Sequence, residues 1–118
     1  MKLIISFIFA ISLLSCQPKN LPTILNQSEG YALLKISHET TKDELASITE
    51  KLVSQSIQID YSGSEFYSDG KLKKLSLAVI IPEGNRGVTS ADIVALQYRY
   101  FGFLYQKEGS PVFKIGEI

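Results

Sequence analysis

The apolar residues of this chain change their spacing from segment to segment. Tyr31–Ser37 (YALLKIS) is a short apolar run after a glycine, which is typical of a strand. An apolar stripe at helical spacing follows over residues 42–55. Its members are Leu45, Ile48 and Leu52. Just before the stripe, Thr41 and Glu44 form a capping box, in which the Thr hydroxyl and the Glu carboxylate satisfy the first amides of a helix.

Alternation of apolar and polar residues predicts strands in the middle of the chain. Ile57, Ile59 and Tyr61 alternate with polar residues, and Ser62–Ser64 is expected to form a bulge or break before a continuation at Glu65–Ser68. Asp69-Gly70 predicts a two-residue hairpin of type I′, in which both central residues have positive φ. A longer strand follows and ends at Pro82. Its inward positions are Leu75, Leu77, Val79 and Ile81.

The last third of the chain has a weaker pattern. We expect a loop at Glu83–Thr89 and a short helix at Ser90–Leu96. Tyr98–Tyr105 (YRYFGFLY) is rich in aromatic residues and predicts a strand, with Tyr98 and Tyr100 on one face and Arg99 on the other. After a turn at Lys107–Ser110, Val112–Glu117 predicts a last strand.

These elements predict an α+β fold. The expected order is strand, helix, strand, strand, short helix, strand, strand, with about five strands in a mainly antiparallel sheet and one long helix on one face. A ferredoxin-like arrangement is the alternative if Ser90–Phe101 forms a full second helix.

The first sixteen residues (MKLIISFIFAISLLSC) differ from the rest of the chain. Lys2 is their only charge, and Leu3–Leu14 is apolar except for two serines. Twelve helical residues span about 18 Å, whereas the hydrocarbon core of a bilayer is roughly 30 Å thick. A positive start, a short apolar stretch and a small residue before the cleavage point indicate a signal peptide over residues 1–15.

The end of this stretch, Leu13-Leu14-Ser15-Cys16, resembles the lipobox of bacterial lipoproteins. In that family a diacylglycerol is attached to the cysteine sulfur, and a peptidase then cuts before the cysteine. The resemblance implies lipid attachment (palmitate among the acyl chains) at Cys16 and a mature protein that is exported and anchored to a membrane, with its domain outside the cytoplasm. Gln17–Gly30 contains two prolines, so residues 16–30 are predicted to be a linker and 31–118 a single domain.

Three short patterns in the domain can be compared with those of known families. They are Thr41, Glu44 and Leu45 at the helix start, Asp69-Gly70-Lys71 at the hairpin, and Ile115, Gly116 and Ile118 at the end. The stretch Leu33–Ile81 resembles a module of uncharacterised bacterial lipoproteins and of the extracytoplasmic tails of antirepressor-type membrane metallopeptidases. The HExxH motif of the peptidases is absent, since His38 is followed by Glu39-Thr40-Thr41-Lys42, so the resemblance implies a fold and no catalytic residue.

Composition narrows the classes of function. The 118 residues contain 12 basic and 12 acidic side chains, and this balance excludes the basic footprint of a nucleic-acid-binding protein. The single cysteine excludes an intrachain disulfide framework and a Cys-rich zinc site. We expect no cofactor and no metal.

Two classes of function remain open. The first is a lipid-anchored binding module with a protein partner, which uses Tyr98, Arg99 and Tyr100, together with Arg86 in the preceding loop; Tyr and Arg are enriched at interface hot spots. The second is a small envelope enzyme or metal protein that uses His38 with Glu39. A further alternative is an accessory subunit of a larger envelope complex, whose activity belongs to a partner. Because no nucleophile motif or metal-ligand spacing is present, we favour the binding module and predict that the protein is not an enzyme.

Overall fold

A computed structural model describes residues 20–93, 95 and 99–118. Within these residues there are one helix, α1, and eight strands, so the predicted α+β class is confirmed while the expected five strands become eight. In chain order the elements are β1 (Ile24–Ser28), β2 (Tyr31–Ile36), α1 (Lys42–Val53), β3 (Gln58–Asp60), β4 (Glu65–Phe66), β5 (Leu72–Ile80), β6 (Arg86–Asp92), β7 (Phe101–Gln106) and β8 (Phe113–Glu117).

The strands form two antiparallel sheets. The first sheet has the order β1-β2-β7-β8. In the second sheet β5 is central, with β3 and β4 in succession along one edge and β6 on the other. Every pairing joins antiparallel neighbours, as predicted, but the order of elements differs from the prediction because β1, β4 and β6 are additional strands.

The core lies between the two sheets and α1. It contains the predicted helical stripe, since Leu45, Ile48 and Leu52 are buried, and the inward residues of β5. The first sheet contributes Leu34 and Phe103, both fully buried. Gly102 allows β7 to pack this closely on β2, because a Cβ at this position would collide with the carbonyl group of Leu34.

The predicted capping box starts α1. The Thr41 hydroxyl accepts from the Glu44 amide at 3.1 Å, and the Glu44 carboxylate accepts from the Thr41 amide at 3.0 Å. Asp43 and Glu44 in the first turn also complement the positive end of the helix dipole. Local sequence therefore determines where this helix begins.

The break predicted at Ser62–Ser64 separates β3 from β4. The Ser64 hydroxyl bonds to β5 at this break: it accepts from the Ser76 amide at 2.8 Å and donates to the Ser76 carbonyl at 3.1 Å. The register on β5 shifts just after it, between Glu65 and Phe66. A serine side chain thus replaces the backbone hydrogen bonds that the break removes.

The Asp69-Gly70 hairpin forms, but its predicted turn type is wrong. Only Gly70 has positive φ (93°), whereas a type I′ turn would require it at Asp69 too. The Gly70 amide donates to the Tyr67 carbonyl at 2.9 Å, and the Tyr67 amide donates to the Lys71 carbonyl at 2.8 Å. These bonds describe a three-residue loop that ends in a left-handed glycine.

Strand β6 overturns the loop predicted at Glu83–Thr89 and the helix predicted at Ser90–Leu96. Residues 86–92 pair with β5, which also excludes the ferredoxin-like alternative, whose second helix would begin at Ser90. The half-buried residues of β6 are Gly87, Thr89 and Ala91, which are too small to give an apolar alternation. Their size is a packing requirement, since a Cβ at Gly87 would lie 2.8 Å from the Phe113 ring.

Strand β1 lies inside the segment predicted as a linker. Its residues pair with β2 from Ile24 opposite Lys35 to Ser28 opposite Tyr31, so ordered structure begins before the predicted domain boundary at Tyr31. Its last three residues are exposed, and its sequence (ILNQS) carries little apolar signal. The predicted signal peptide and Cys16 lie outside the described residues.

Candidate functional site

Four chain segments that are distant in sequence surround an open cavity of about 700 Å³, here called the end cavity. They are the turn between β1 and β2, the end of α1, the turn after β5 and the end of β7. The walls combine apolar surface with polar side chains, among them Glu29, Gln55, Glu83, Tyr105 and Lys107. The cavity therefore lies where loops meet, the usual place for binding residues on a rigid scaffold.

The end of α1 forms one wall through a tight turn. The Ser56 amide donates to the Val53 carbonyl at 2.9 Å, and the Ile57 amide donates to the Leu52 carbonyl at 3.1 Å. This pair of bonds is a Schellman motif, whose left-handed position is normally glycine. Here the position is Ser56, with φ of 60°, and it lines the end cavity.

Two glutamines fasten β1 to this turn. The Gln55 side-chain amide donates to the carbonyls of Ser28 at 2.8 Å and Tyr31 at 2.9 Å. The Gln27 amide donates to the Gln55 side-chain oxygen at 2.6 Å and to the Lys51 carbonyl at 3.1 Å. Both amide groups therefore use their two donors within the protein, and they hold the wall of the cavity in place.

The floor of the cavity contains a phenol–carboxylate pair. The buried Tyr105 hydroxyl donates to Glu83 Oε2 at 3.0 Å. Burial, and then the hydrogen bond to Glu83 and its negative charge, raise the pKa of Tyr105 above 10.0. The phenol therefore stays protonated at neutral pH and remains a hydrogen-bond donor.

The predicted binding residues are not all in one place. Arg99 and Tyr100 precede β7, at the opposite end of that strand from Tyr105, whereas Arg86 begins β6 in the second sheet. Tyr98 lies outside the described residues. Of the predicted binding residues in the described part of the chain, only Arg99 and Tyr100 therefore belong to the same surface.

Tyr100 already has intramolecular partners. Its hydroxyl donates to the Pro22 carbonyl at 2.7 Å, and Lys35 Nζ lies 5.3 Å from the centre of its ring. Burial and then the charge of Glu39 raise the pKa of Tyr100. Its neighbour Arg99 is more exposed and forms an ion pair with Glu117 at 3.4 Å, where the two side chains are 55% and 53% exposed.

Arg86 is exposed, and its charge influences the pKa of Asp60. Hydrogen bonds from the backbone and side chain of Ser62 lower the pKa of Asp60. The positive charge of Arg86 lowers it further. Arg86 is thus associated with the outer edge of the second sheet rather than with Tyr100.

His38 lies in the tight turn between β2 and α1. Its Nε2 is 3.8 Å from Glu39 Oε2, and its side chain is 21% exposed. The same Glu39 oxygen accepts from the Leu21 amide at 3.3 Å. Within residues 20–93, 95 and 99–118, no three His, Cys, Asp or Glu side chains are grouped so that they could hold a metal ion.

Comparisons with protein-family models, with curated proteins and with solved structures give no match for this chain. In the described part of the chain, no helix is long and apolar enough to cross a membrane.

Sequence reasoning did not find the end cavity. Its lining comes from positions 27–30, 54–56, 82–83 and 105–107, which only the topology brings together. Ser56 carried no signal, because serine is unusual in a left-handed cap.

Proposed function

We propose that this chain is an exported protein, anchored to a membrane by lipid on Cys16, whose domain binds a small polar ligand in the end cavity. The observation that carries the binding role is the cavity itself. Its volume of about 700 Å³ suits a small molecule, since ligand pockets commonly enclose about 300–1,000 Å³. The lipobox-like sequence that ends at Cys16 supports the anchor.

The walls favour a ligand with hydrogen-bonding groups. Glu29 and Glu83 supply carboxylates, Lys107 an ammonium group and Tyr105 a neutral phenol. A ligand with hydroxyl groups, or with both an amino and a carboxyl group, can pair with these side chains without leaving one of them unsatisfied. The proposal assigns no reaction to the site.

Binding is tested with simple probes of that chemistry. Glucose, glycine and lysine at millimolar concentration are titrated into the isotope-labelled domain, and amide shifts are followed. We expect at least one probe to shift amides of residues 28–30, 54–56 and 105–107 together. Glu29→Trp places a bulky side chain at the cavity and is expected to abolish the shifts, while Glu50→Trp on the exposed face of α1 leaves them unchanged.

Two results would contradict the binding role. One is the absence of shifts with all three probes. The other is loss of the shifts in Glu50→Trp as well as in Glu29→Trp, which would show that they do not arise in the cavity.

The anchor is tested by metabolic labelling with radioactive palmitate. We expect label in the full chain and none in Cys16→Ala. Label that persists in Cys16→Ala would refute lipid attachment at this residue.

A further inference from the structure

The chain is fixed to the domain within a few residues of the proposed lipid. The Leu21 amide donates to Glu39 Oε2, and the Ser37 hydroxyl donates to the Leu21 carbonyl. The Pro22 carbonyl accepts from Tyr100 at 2.7 Å. The folded body therefore includes Leu21 and Pro22, which precede the predicted domain boundary at Tyr31.

Thr23 adds two side-chain bonds to this attachment. Its hydroxyl donates to Glu44 Oε1 at 2.8 Å and lies 2.8 Å from the Thr40 hydroxyl. Because a hydroxyl has one hydrogen, Thr40 is the donor in the second bond. Thr40 is fully buried, so Thr23 is tied to the interior of the domain and not to a loose surface loop.

The reach of the tether follows from these bonds. Five chain steps separate Cys16 from Leu21 (21 − 16 = 5), and five residues span about 18 Å at most even when fully extended. A free linker from Cys16 to Gly30 would reach about 50 Å by the same rule (14 steps). The attachment at Leu21 thus keeps one end of the domain close to the lipid headgroups.

This end and the end cavity lie at opposite ends of the first sheet. Pro22 contacts Tyr100, just before β7, whereas Tyr105 and Lys107 at the other end of β7 line the cavity. A strand of six residues is about 20 Å long at roughly 3.3 Å per residue. Strand β1 is of similar length and runs from the attachment to the cavity wall at Gln27 and Ser28.

We propose that the domain docks on the bilayer surface through the anchor end, defined as Leu21, His38, Arg99 and Tyr100, and that the end cavity opens away from the membrane. This inference rests on the lipid attachment of the proposed function and adds an orientation to it. The ligand then reaches the cavity from the aqueous compartment.

The side chains of the anchor end suit a headgroup layer. Tyr100 combines an aromatic ring with a polar end, and Lys35 lies over that ring. Tyrosine suits the membrane–water interface because its ring is apolar and its hydroxyl is hydrated, and lysine and arginine can bury their aliphatic stems there while the charge stays in water. Glu39 and Glu117 offset the cations here, so we infer that the short tether, rather than a strong charge attraction, sets the orientation.

The chain has no tryptophan, so single tryptophans report on orientation without background. Glu117→Trp places a tryptophan at the end of the β7–β8 hairpin near the anchor end, and Glu108→Trp places a tryptophan in the turn at its opposite end. Both are exposed Glu→Trp changes. The lipidated variants are reconstituted in phosphatidylethanolamine–phosphatidylglycerol vesicles that contain headgroup spin-labelled phosphatidylcholine, and quenching of fluorescence is measured.

We expect quenching at position 117 to exceed that at position 108 several-fold. Non-lipidated Cys16→Ser versions should show no quenching at either position. If the two lipidated variants bind to vesicles and are quenched equally, the proposed orientation is wrong, although the lipid anchor is not contradicted. Failure of the lipid-modified full chain to float with vesicles would instead overturn the anchor, and with it the proposed function.

A second variant tests the role of tether length. A flexible Gly-Ser insert of about twelve residues between Asn20 and Leu21 lengthens the tether without altering a described hydrogen bond. We expect the difference between positions 117 and 108 to shrink markedly. A difference of unchanged size would contradict the short tether as its cause.

Discussion

At the scale of single residues, the least expected feature is Ser56 in a left-handed conformation. Left-handed backbone brings the Cβ of an L-residue close to the following carbonyl oxygen, at a cost of roughly 1–2 kcal/mol, which glycine avoids. The structure keeps serine there, at the rim of the end cavity. Strained residues of this kind are found preferentially at functional sites.

Ser56→Gly is therefore expected to raise the free energy of unfolding by about 0.5–1 kcal/mol, because the Schellman motif prefers glycine. Ser54→Gly is the matched control. Ser54 has right-handed helical backbone (φ −63°), so glycine there should lower stability by a similar amount. Urea denaturation monitored by circular dichroism measures both. A loss of stability in Ser56→Gly would contradict this account of the turn.

A second residue-scale prediction concerns alkaline pH. The pKa of Tyr105 is raised in the folded state, so its contribution to stability is complete below the ordinary value of about 10 and is lost as pH rises through the folded pKa. Glu83→Gln removes the neighbouring charge and should lower the pKa of Tyr105. Absorbance titration of the phenols measures it, in a Tyr100→Phe background because the pKa of Tyr100 is also raised.

An unchanged pKa of Tyr105 would contradict this role of Glu83. A pKa of Tyr105 that is unchanged in Glu83→Gln would show that the negative charge of Glu83 does not raise it, since the glutamine oxygen can still accept the hydrogen bond of the phenol.

At the scale of elements, the helix is the part that the sequence specifies best. The capping box and the stripe of Leu45, Ile48 and Leu52 are local signals, and both appear in the structure as predicted. The aromatic strand was predicted less accurately: it begins at Phe101, so Arg99 and Tyr100 precede it, and Phe101 and Phe103 point into the core.

Thr41→Ala tests the helix start. Loss of the N-cap hydroxyl is expected to cost about 1 kcal/mol of unfolding free energy, because the Glu44 amide loses its acceptor. Thr49→Ala, in the middle of the same helix, is the control. Its hydroxyl donates to the Leu45 carbonyl, and alanine is the better helix former, so little change is expected. Equal losses in both variants would argue against a special role for the cap.

Strands β1 and β6 could not be predicted, for two different physical reasons. β6 places small residues inward because the Phe113 and Ile115 side chains of β8 fill that space, so its periodicity is hidden. β1 is held largely by polar bonds, among them those of Gln27 and Gln55, and a polar edge strand looks like a linker in the sequence. Both depend on partners that are remote in the chain.

At the scale of the whole molecule, Gln55 connects β1, α1 and the end cavity. Gln55→Ala removes two donors to backbone carbonyls, each bond being worth about 1 kcal/mol. Amides of residues 24–28 should then exchange with solvent up to roughly thirtyfold faster, while those of β5 and β6 stay protected. Gln58→Ala, on exposed β3, is the control. Hydrogen exchange followed by mass spectrometry makes the measurement.

If Gln55→Ala leaves exchange in β1 unaltered, backbone pairing with β2 alone holds this strand. If Gln58→Ala accelerates it equally, the effect is not specific to the glutamine that joins the three elements.

The direction of β1 has a mechanical consequence in the proposed orientation. The strand leads from the anchor end toward the end cavity, so any tension on the lipid that exceeds what the bonds of Leu21, Pro22 and Thr23 hold acts along its axis. Such a pull loads the register pairs from Ile24–Lys35 to Ser28–Tyr31 in shear, all at once, instead of peeling them apart in sequence. A polar edge strand can in this way resist forces that its modest burial alone would not withstand.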